Sequence, residues 1–225
     1  MALHLEDFLI TGRTFDEYAA FCSLDIQELK GKKILDCPSG VSGFVAEAVR
    51  RGIDAHGCDI LYGFDIETIT AQAEKSIDKI YEDTAWTAGH SFAFYGSVKG
   101  HRQCRESALA AFKSDLNPQR YRFETLPKLT YEDNSFDLLL SSHLLFVYDD
   151  RLDLDFHIAS ITEMLRVARE VRLFPLVDFK DSRRNEPDNF SPLVAEITRR
   201  FDAEIIPVGF EFQPGAGFMI RLKRH

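Results

Sequence analysis

The sequence has few cysteines and no closely spaced pair of them. Its four cysteines, Cys22, Cys37, Cys58 and Cys104, form no Cys-x-x-Cys motif and lie in no histidine-rich pattern. A structural zinc site or a disulfide framework would need such patterns. We therefore expect free thiols and no metal site.

Long hydrophobic runs and a basic surplus are lacking too. No stretch reaches the roughly 18 apolar residues of a membrane span, and MALHLEDFLITGR at the start does not resemble a secretion signal. Lysine and arginine number 27 against 36 acidic residues, which gives a formal net charge of −9. Nucleic acids and anionic membranes are bound through basic surfaces. We therefore expect a cytoplasmic protein that binds neither.

Two glycine-rich phosphate-binding motifs are also missing. The sequence contains no G-x-x-x-x-G-K-[ST] motif, which excludes a P-loop NTPase. It contains no G-x-G-x-x-G motif either, which counts against dinucleotide binding.

What the sequence does contain is an alternation of strand-like and helix-like segments. The predicted elements are short helices beginning after Thr14 and Asp25, strand 34–37, helix 44–49, strand 55–60, helix 66–80, strand 136–142, helix 155–168, strand 171–177, a helix after Ser191, and strands 204–212 and 217–224. Strands joined by helices pair in parallel, whereas the short link at 213–216 permits only an antiparallel hairpin. At 225 residues and 45% hydrophobic content, one α/β domain over 1–225 is expected. Residues 1–30 would form a helical cap, and residues 61–120 a helical insertion.

ILDCPSGVSG at 34–43 is an acid followed by a glycine-containing loop, and it resembles the first motif of the class I S-adenosylmethionine-dependent methyltransferases. Asp59, 23 residues after Asp36, matches the acid that closes the second strand, and YEDNSFDLLLSS at 131–142 resembles the stretch carrying the fourth strand. The resemblance covers residues 30–60 and 121–225. It implies a Rossmann-like, doubly wound, mostly parallel seven-stranded sheet that ends in an antiparallel hairpin.

The resemblance also implies a cofactor, S-adenosylmethionine, with S-adenosylhomocysteine as product, and a set of binding residues. The loop after the first strand would cradle the amino-acid end of the cofactor, although Pro38 stands where relatives carry the first glycine. Asp59 would accept hydrogen bonds from the ribose hydroxyls, and Thr125 falls where many relatives carry an adenine-binding acid. The predicted cofactor-binding residues are Arg13, Tyr18, Asp36, Cys37, Pro38, Gly40, Asp59, Ile60, Thr125, Leu126 and Ser142.

Candidate residues for chemistry and for the acceptor lie elsewhere. His143 directly follows the fourth predicted strand and is the candidate general base or substrate-positioning residue; a structural histidine bonded to backbone is the alternative. Trp86, Tyr95 and His101 are candidate substrate contacts, if the insertion acts as a lid. The alternative is that these side chains pack an extra helical layer on the sheet.

The sequence therefore predicts a methyltransferase that transfers a methyl group from S-adenosylmethionine to a small molecule. A catalytically silent module that binds the cofactor is the first alternative. A Rossmann-like NAD(P)-dependent oxidoreductase is the second, and the C-terminal hairpin disfavours it.

Overall fold

The computed structural model describes residues 9–148, 151–177 and 190–224, except for the side chains at 85 and 86. The strands are β1 (Lys33–Asp36), β2 (Asp54–Asp59), β3 (Tyr121–Phe123), β4 (Phe136–Ser142), β5 (Ala168–Phe174), β6 (Asp202–Pro207) and β7 (Phe218–Lys223). The helices are α1 (Phe15–Phe21), α2 (Ile26–Leu29), α3 (Phe44–Arg50), α4 (Ile66–Glu82), α5 (Thr84–Ala88), α6 (Val98–Asp115), α7 (Leu154–Val167) and α8 (Pro192–Arg200). Short 3-10 turns lie at Ile60–Gly63 and Ala93–Tyr95.

The seven described strands form one sheet in the order β3-β2-β1-β4-β5-β7-β6. Strands β1 to β5 pair in parallel, and β7 lies antiparallel between β5 and β6. The chain moves outward from β1 first through β2 and β3, then on the other side through β4 and β5, so the order reverses between β1 and β4. This arrangement confirms the predicted Rossmann-like, doubly wound sheet with its antiparallel hairpin.

Both faces of the sheet are covered by helices. One buried cluster joins α1, α3, α4 and α6 to residues such as Ile34 and Leu138, and the other joins α7 and α8 to residues such as Leu35 and Leu139. Alternate residues of a strand point to opposite faces, which places neighbouring leucines in different clusters. None of the described helices is both long enough and apolar enough to cross a bilayer.

The segments predicted over 204–212 and 171–177 have different bounds in the structure. The strand predicted over 204–212 ends at Pro207, and the hairpin link runs over 208–217 instead of 213–216. Val208 N–H donates to the Gly217 carbonyl at 2.9 Å, after which Phe210 turns into the protein and becomes buried. Strand β5 also begins at Ala168 rather than 171, since helix α7 ends at Val167.

The N-terminal helix α1 is tied to the insertion by one buried carboxylate. Thr14 and Glu17 form a capping box: Thr14 N–H donates to Glu17 Oε2 at 2.8 Å, and Glu17 N–H donates to the Thr14 hydroxyl at 3.3 Å. Glu17 Oε1 accepts hydrogen bonds from the Arg105 guanidinium of α6 and, at 2.6 Å, from the Tyr95 hydroxyl. Both Glu17 and Arg105 are fully buried.

The buried pair has an excess of positive charge. Arg13 Nε lies 3.9 Å from Glu17 Oε1, so two guanidiniums share one carboxylate. Burial raises the pKa of Glu17, but the charges of Arg105 and Arg13 outweigh it and leave the pKa below its ordinary value. The carboxylate is therefore ionised, and the cluster carries a net charge of about +1 next to the sheet.

Replacing Arg105 by methionine should reduce the free energy of unfolding by about 3–5 kcal/mol, because the Glu17 carboxylate would remain buried without its main partner. Urea denaturation near neutral pH measures the effect. Arg102→Met is the matched control: this residue lies on the same helix, and its ion pairs with Asp78 and Glu106 are exposed. The control should lose less than about 1 kcal/mol. Equal losses of unfolding free energy in the two variants would contradict the conclusion that Arg105 and Glu17 form a buried ion pair.

Candidate functional site

A cavity of about 340 Å³ opens at the carboxyl ends of the parallel strands. It lies where the strand order reverses, which is the usual ligand site of open α/β sheets, and its volume is within the range of ligand pockets. Its lining comes from the N-terminal segment, from residues at or just after the ends of β1 to β5 and from the link 208–217. Further lining residues are Ile80 and His90 of the insertion and Tyr148, Leu152 and Phe156 between β4 and the first turn of α7. Of the predicted site residues it contains Arg13, Tyr18, Cys37, Pro38, Gly40, Asp59, Ile60, Thr125, Leu126, Ser142 and His143.

Asp36 lies beneath this lining. It is the last residue of β1 and is fully buried. Its carboxyl oxygens accept hydrogen bonds from the Tyr18 hydroxyl at 2.9 Å and from the Ser39 hydroxyl at 2.8 Å, and Tyr18 in turn accepts one from Ser142 at 3.1 Å. Burial raises the pKa of Asp36 to about 8, against the opposing effect of these two donors. Its side chain joins β1, α1 and β4 under the cavity floor.

The loop at 37–40 is held by hydrogen bonds on both of its sides. Ser39 N–H donates to the Cys58 carbonyl at 2.9 Å, and Gly40 N–H donates to Asp59 Oδ2 at 2.7 Å. The Tyr62 hydroxyl donates to the Gly40 carbonyl at 2.7 Å. Gly40 has φ +54°, a left-handed conformation in which a side chain would be strained. These hydrogen bonds fix the conformation of the loop, although Pro38 lacks an amide hydrogen.

Asp59 is the last residue of β2, and its carboxylate lies beside this loop. One carboxylate oxygen accepts from Leu61 N–H at 2.9 Å and caps the 3-10 turn, while the other accepts from Gly40 N–H. Burial raises its pKa to about 6, against the backbone hydrogen bonds it accepts. An ionised carboxylate has about four acceptor positions. The Leu61 and Gly40 amides use two of them, and Asp59 itself lines the cavity.

The end of β3 carries an acid that the sequence analysis missed. Glu124 lines the cavity and is 4% exposed, whereas the predicted Thr125 is on the exposed rim. Glu124 accepts hydrogen bonds from the amide and the hydroxyl of Thr130, so it holds the turn that carries Leu126. In the sequence, Glu124 is an acid directly after the strand-like segment YRF. The spacing from the fourth-strand motif indicates the following residue, Thr125, instead.

His143 follows β4 in a left-handed conformation with φ +58°. Its N–H donates to the Phe174 carbonyl at 2.7 Å, and its ring lies edge-on to Phe21 and Phe174. Nδ1 is buried and has no hydrogen-bond partner among the described residues. Burial, followed by the charges of Arg13 and Arg105, lowers the pKa well below its ordinary value. The imidazole is therefore neutral near physiological pH.

Arg13 provides the positive charge of the lining. Within the described residues its hydrogen bonds all start from Nη1 and run to the Thr11 carbonyl, the Thr11 hydroxyl and the Gly12 carbonyl at 2.9–3.3 Å. Burial and then Arg105 lower its pKa to about 10, so it is still charged at neutral pH. Because Arg13 lines the cavity, its positive charge can act on a ligand there.

The candidate substrate contacts in the insertion do not line the cavity where the structure describes them. Tyr95 donates to Glu17, and His101 is buried with its Nδ1 2.6 Å from the Tyr81 hydroxyl. The ring of His101 stacks on Phe212, at 4.6 Å between centroids, and it is Phe212 that lines the cavity. Tyr95 is thus bonded to the buried Glu17, and His101 packs against the lining residue Phe212. The side chain of Trp86 lies outside the described residues.

The described residues contain no group of three or more histidine, cysteine or acidic side chains arranged to hold a metal ion. The charged side chains among the described lining residues are Asp59, Glu124 and Arg13.

Comparisons with known proteins find distant similarity to three proteins. No family model matches it. It is 29% identical over 226 residues to an uncharacterized protein of Methanocaldococcus jannaschii, with 99% of both chains covered. Among solved structures, it resembles a Pyrococcus horikoshii protein with a TM-score of 0.49 and 13% identity, over 93% of this chain and 90% of that one. A SAM-dependent methyltransferase from Methanosarcina mazei gives a TM-score of 0.45 and 17% identity, over 88% and 96% of the two chains.

Asp36 should make stability fall as the pH rises. Its folded-state pKa of about 8 lies above the unfolded value of about 3.9, so the folded protein retains a proton that the unfolded chain releases. The neutral carboxyl group contributes fully to the free energy of unfolding at pH values below the unfolded pKa. This contribution is lost as the pH rises through about 8. Asp36→Asn remains neutral, so it should gain stability relative to wild type between about pH 5 and pH 8.5.

Urea denaturation at several pH values measures this difference. Asp65→Asn serves as the control, because Asp65 caps α4 at the surface and asparagine is an equally good cap. Its offset from wild type should be constant above about pH 5, since the pKa of Asp65 is lowered. A constant offset for Asp36→Asn over the same range would show that Asp36 is ionised.

Proposed function

We propose that this protein is an S-adenosylmethionine-dependent methyltransferase that acts on a small-molecule acceptor. The observation that carries the proposal is the convergence of Asp59, the loop at 37–40 and Arg13 on one cavity at the carboxyl ends of the strands. The resemblance of ILDCPSGVSG and of YEDNSFDLLLSS to motifs of this family supports it independently.

The residues present fit the cofactor. Asp59 lines the cavity at the end of β2, where its carboxylate would accept hydrogen bonds from the two hydroxyls of a ribose. Arg13 offers a guanidinium nitrogen and a positive charge to the carboxylate at the amino-acid end. Ile60 and Leu126 provide apolar surface for the adenine, and Ile60 is 37% exposed. S-adenosylmethionine would supply an activated methyl group at the junction of these subsites.

Methyl transfer requires little of the protein beyond positioning the acceptor and the methyl group. Holding the acceptor in line with the methyl group accounts for about 7–11 kcal/mol in well-oriented reactions. Ser142 and His143 line the cavity at the tip of β4. The neutral imidazole of His143 can accept a proton, and its lowered pKa makes it a weak base.

A catalytically silent cofactor-binding module is a second candidate. One observation favours it: the lowered pKa of His143 makes its imidazole a weak base. Such a module would bind S-adenosylmethionine and S-adenosylhomocysteine as the enzyme does, but it would release no S-adenosylhomocysteine with any acceptor.

Both candidates require that the cofactor stabilises the fold. S-adenosylmethionine or S-adenosylhomocysteine at about a hundredfold excess over its dissociation constant should contribute about 2.7 kcal/mol, or roughly 5–10 °C in Tm. NAD and NADP are the controls in the same thermal-unfolding assay. A shift with a nicotinamide cofactor and none with the methionine derivatives would favour the oxidoreductase and reject the methyltransferase.

Asp59→Asn should raise the dissociation constant of S-adenosylhomocysteine by about 10- to 100-fold, since hydrogen bonds to a charged acceptor are lost. In the wild type, the same constant should rise as the pH falls through about 6, because protonation removes the carboxylate. Isothermal titration calorimetry at several pH values measures both effects. Asp54→Asn, at the opposite end of β2, is the control and should bind as the wild type does. Unchanged affinity in Asp59→Asn would remove Asp59 from the site.

A further inference from the structure

Gly40 lines the cavity, and the peptide groups on its two sides are both held by side chains from outside the loop. On one side, the Gly40 N–H donates to Asp59 Oδ2 at 2.7 Å. On the other side, the Gly40 carbonyl accepts from the Tyr62 hydroxyl at 2.7 Å. Since a peptide group is planar, this second hydrogen bond also fixes the direction of the Val41 amide. The backbone orientation at this point of the lining therefore depends on Asp59 and Tyr62.

A glycine at position 40 makes the turn possible but does not select it. Its φ of +54° costs a glycine little, and so do several other conformations. A peptide group next to a glycine can therefore rotate unless another group holds it. Pro38 fixes its own φ two residues earlier, but it has no N–H to offer to a ligand. The single conformation of the loop thus requires side chains from outside it.

The ring of Tyr62 is held in place by aromatic packing. It stacks on Phe112 of α6, with 5.8 Å between centroids and 18° between planes, and it lies edge-on to Tyr121 of β3 at 5.7 Å. Both neighbours are buried. Stacked and edge-to-face pairs stabilise one another beyond the area that they bury. The Tyr62 hydroxyl is therefore presented to Gly40 by a ring that cannot swing away without breaking these contacts.

The two hydrogen bonds to Gly40 respond differently to pH. Burial, followed by the charge of Asp59, raises the pKa of Tyr62 well above its ordinary value, so its hydroxyl remains a donor throughout the physiological range. The pKa of Asp59 is about 6, so this carboxylate becomes protonated in mild acid. The hydrogen bond from Tyr62 is the one that stays unchanged.

From this arrangement we infer that Tyr62 is a positioning residue for the amino-acid end of the cofactor, which acts by holding the Gly40 carbonyl. The inference rests on the proposed function, in which the loop at 37–40 takes that end. Tyr62 does not line the cavity, so it acts through the loop. It also gives the insertion a role at the site, because Phe112 of α6 supports the ring of Tyr62.

Tyr62→Phe tests the inference, since it removes the hydroxyl and keeps the ring. It should raise the dissociation constant of S-adenosylhomocysteine by about three- to tenfold, the usual effect of losing one neutral hydrogen bond. 5′-Methylthioadenosine has the same adenosine part but no amino-acid end. Its dissociation constant should change less than about twofold, because Asp59 and Ile60 are unaltered. Isothermal titration calorimetry measures both constants, and a general disturbance of the cavity would weaken both ligands.

Tyr121→Phe is the matched control. Tyr121 packs against the same aromatic rings and is 4% exposed, but its hydroxyl donates to Asp115 Oδ2 at the end of α6, at 3.1 Å. The control therefore loses a hydroxyl hydrogen bond of the same kind without touching the Gly40 carbonyl. It should bind both ligands as the wild type does. Thermal unfolding without ligand shows that each variant is folded.

The outcomes separate this inference from the proposed function. If the wild type binds neither ligand, the proposed function fails and the role of Tyr62 fails with it. If S-adenosylhomocysteine binds the wild type, but Tyr62→Phe keeps that affinity or loses both ligands equally, the inference is overturned and the proposed function stands. An equal loss in Tyr121→Phe would also overturn it, because the cause would then be the aromatic packing. So would a wild type that binds S-adenosylhomocysteine but not methylthioadenosine, since the inference requires an adenosine subsite separate from the loop.

Discussion

The buried carboxylate of Glu17 is the interaction on which the shape of the cavity depends. A carboxylate without water is tolerated only when it is paired and hydrogen-bonded, and Glu17 has partners in its own helix cap, in α6 and in the 3-10 turn at Ala93–Tyr95. The N-terminal segment is thereby fixed against the insertion. Arg13 and Tyr18 flank Glu17 in sequence, so the same pairing positions one residue that faces the cavity and another that bonds to Asp36.

Asp36 and Asp59 lie at the ends of neighbouring strands, and their different surroundings give them different pKa values. Asp36 receives its hydrogen bonds from hydroxyls under the floor, and burial raises its pKa to about 8. Asp59 receives backbone amides, and its pKa is raised only to about 6. Near neutral pH one carboxyl group is therefore predominantly protonated and the other predominantly ionised. The first stabilises the junction of β1, α1 and β4, and the second lines the cavity.

The sequence predicted the sheet well because parallel strands buried on both faces form short apolar runs. It identified the residues at the ends of β1, β2 and β4 for the same reason, since each polar side chain directly follows such a run. Helix α6 was not resolved within the insertion, because its buried positions include His101 and Arg105, which do not count as apolar. Their burial depends on Glu17, 88 residues away from Arg105, and no local pattern reveals that contact.

The two halves of the cavity differ in how they are built, and this explains why only one was visible in the sequence. The half assigned to the cofactor is made by strand ends and tight turns, where backbone geometry demands particular residues such as Gly40. The rest of the lining, including Leu144, Tyr148 and Phe210, comes mainly from connections, whose apolar residues follow no fixed period. The sequence places Phe210 and Phe212 in a strand, because alternating apolar residues suit a cavity wall as well as a pleated sheet.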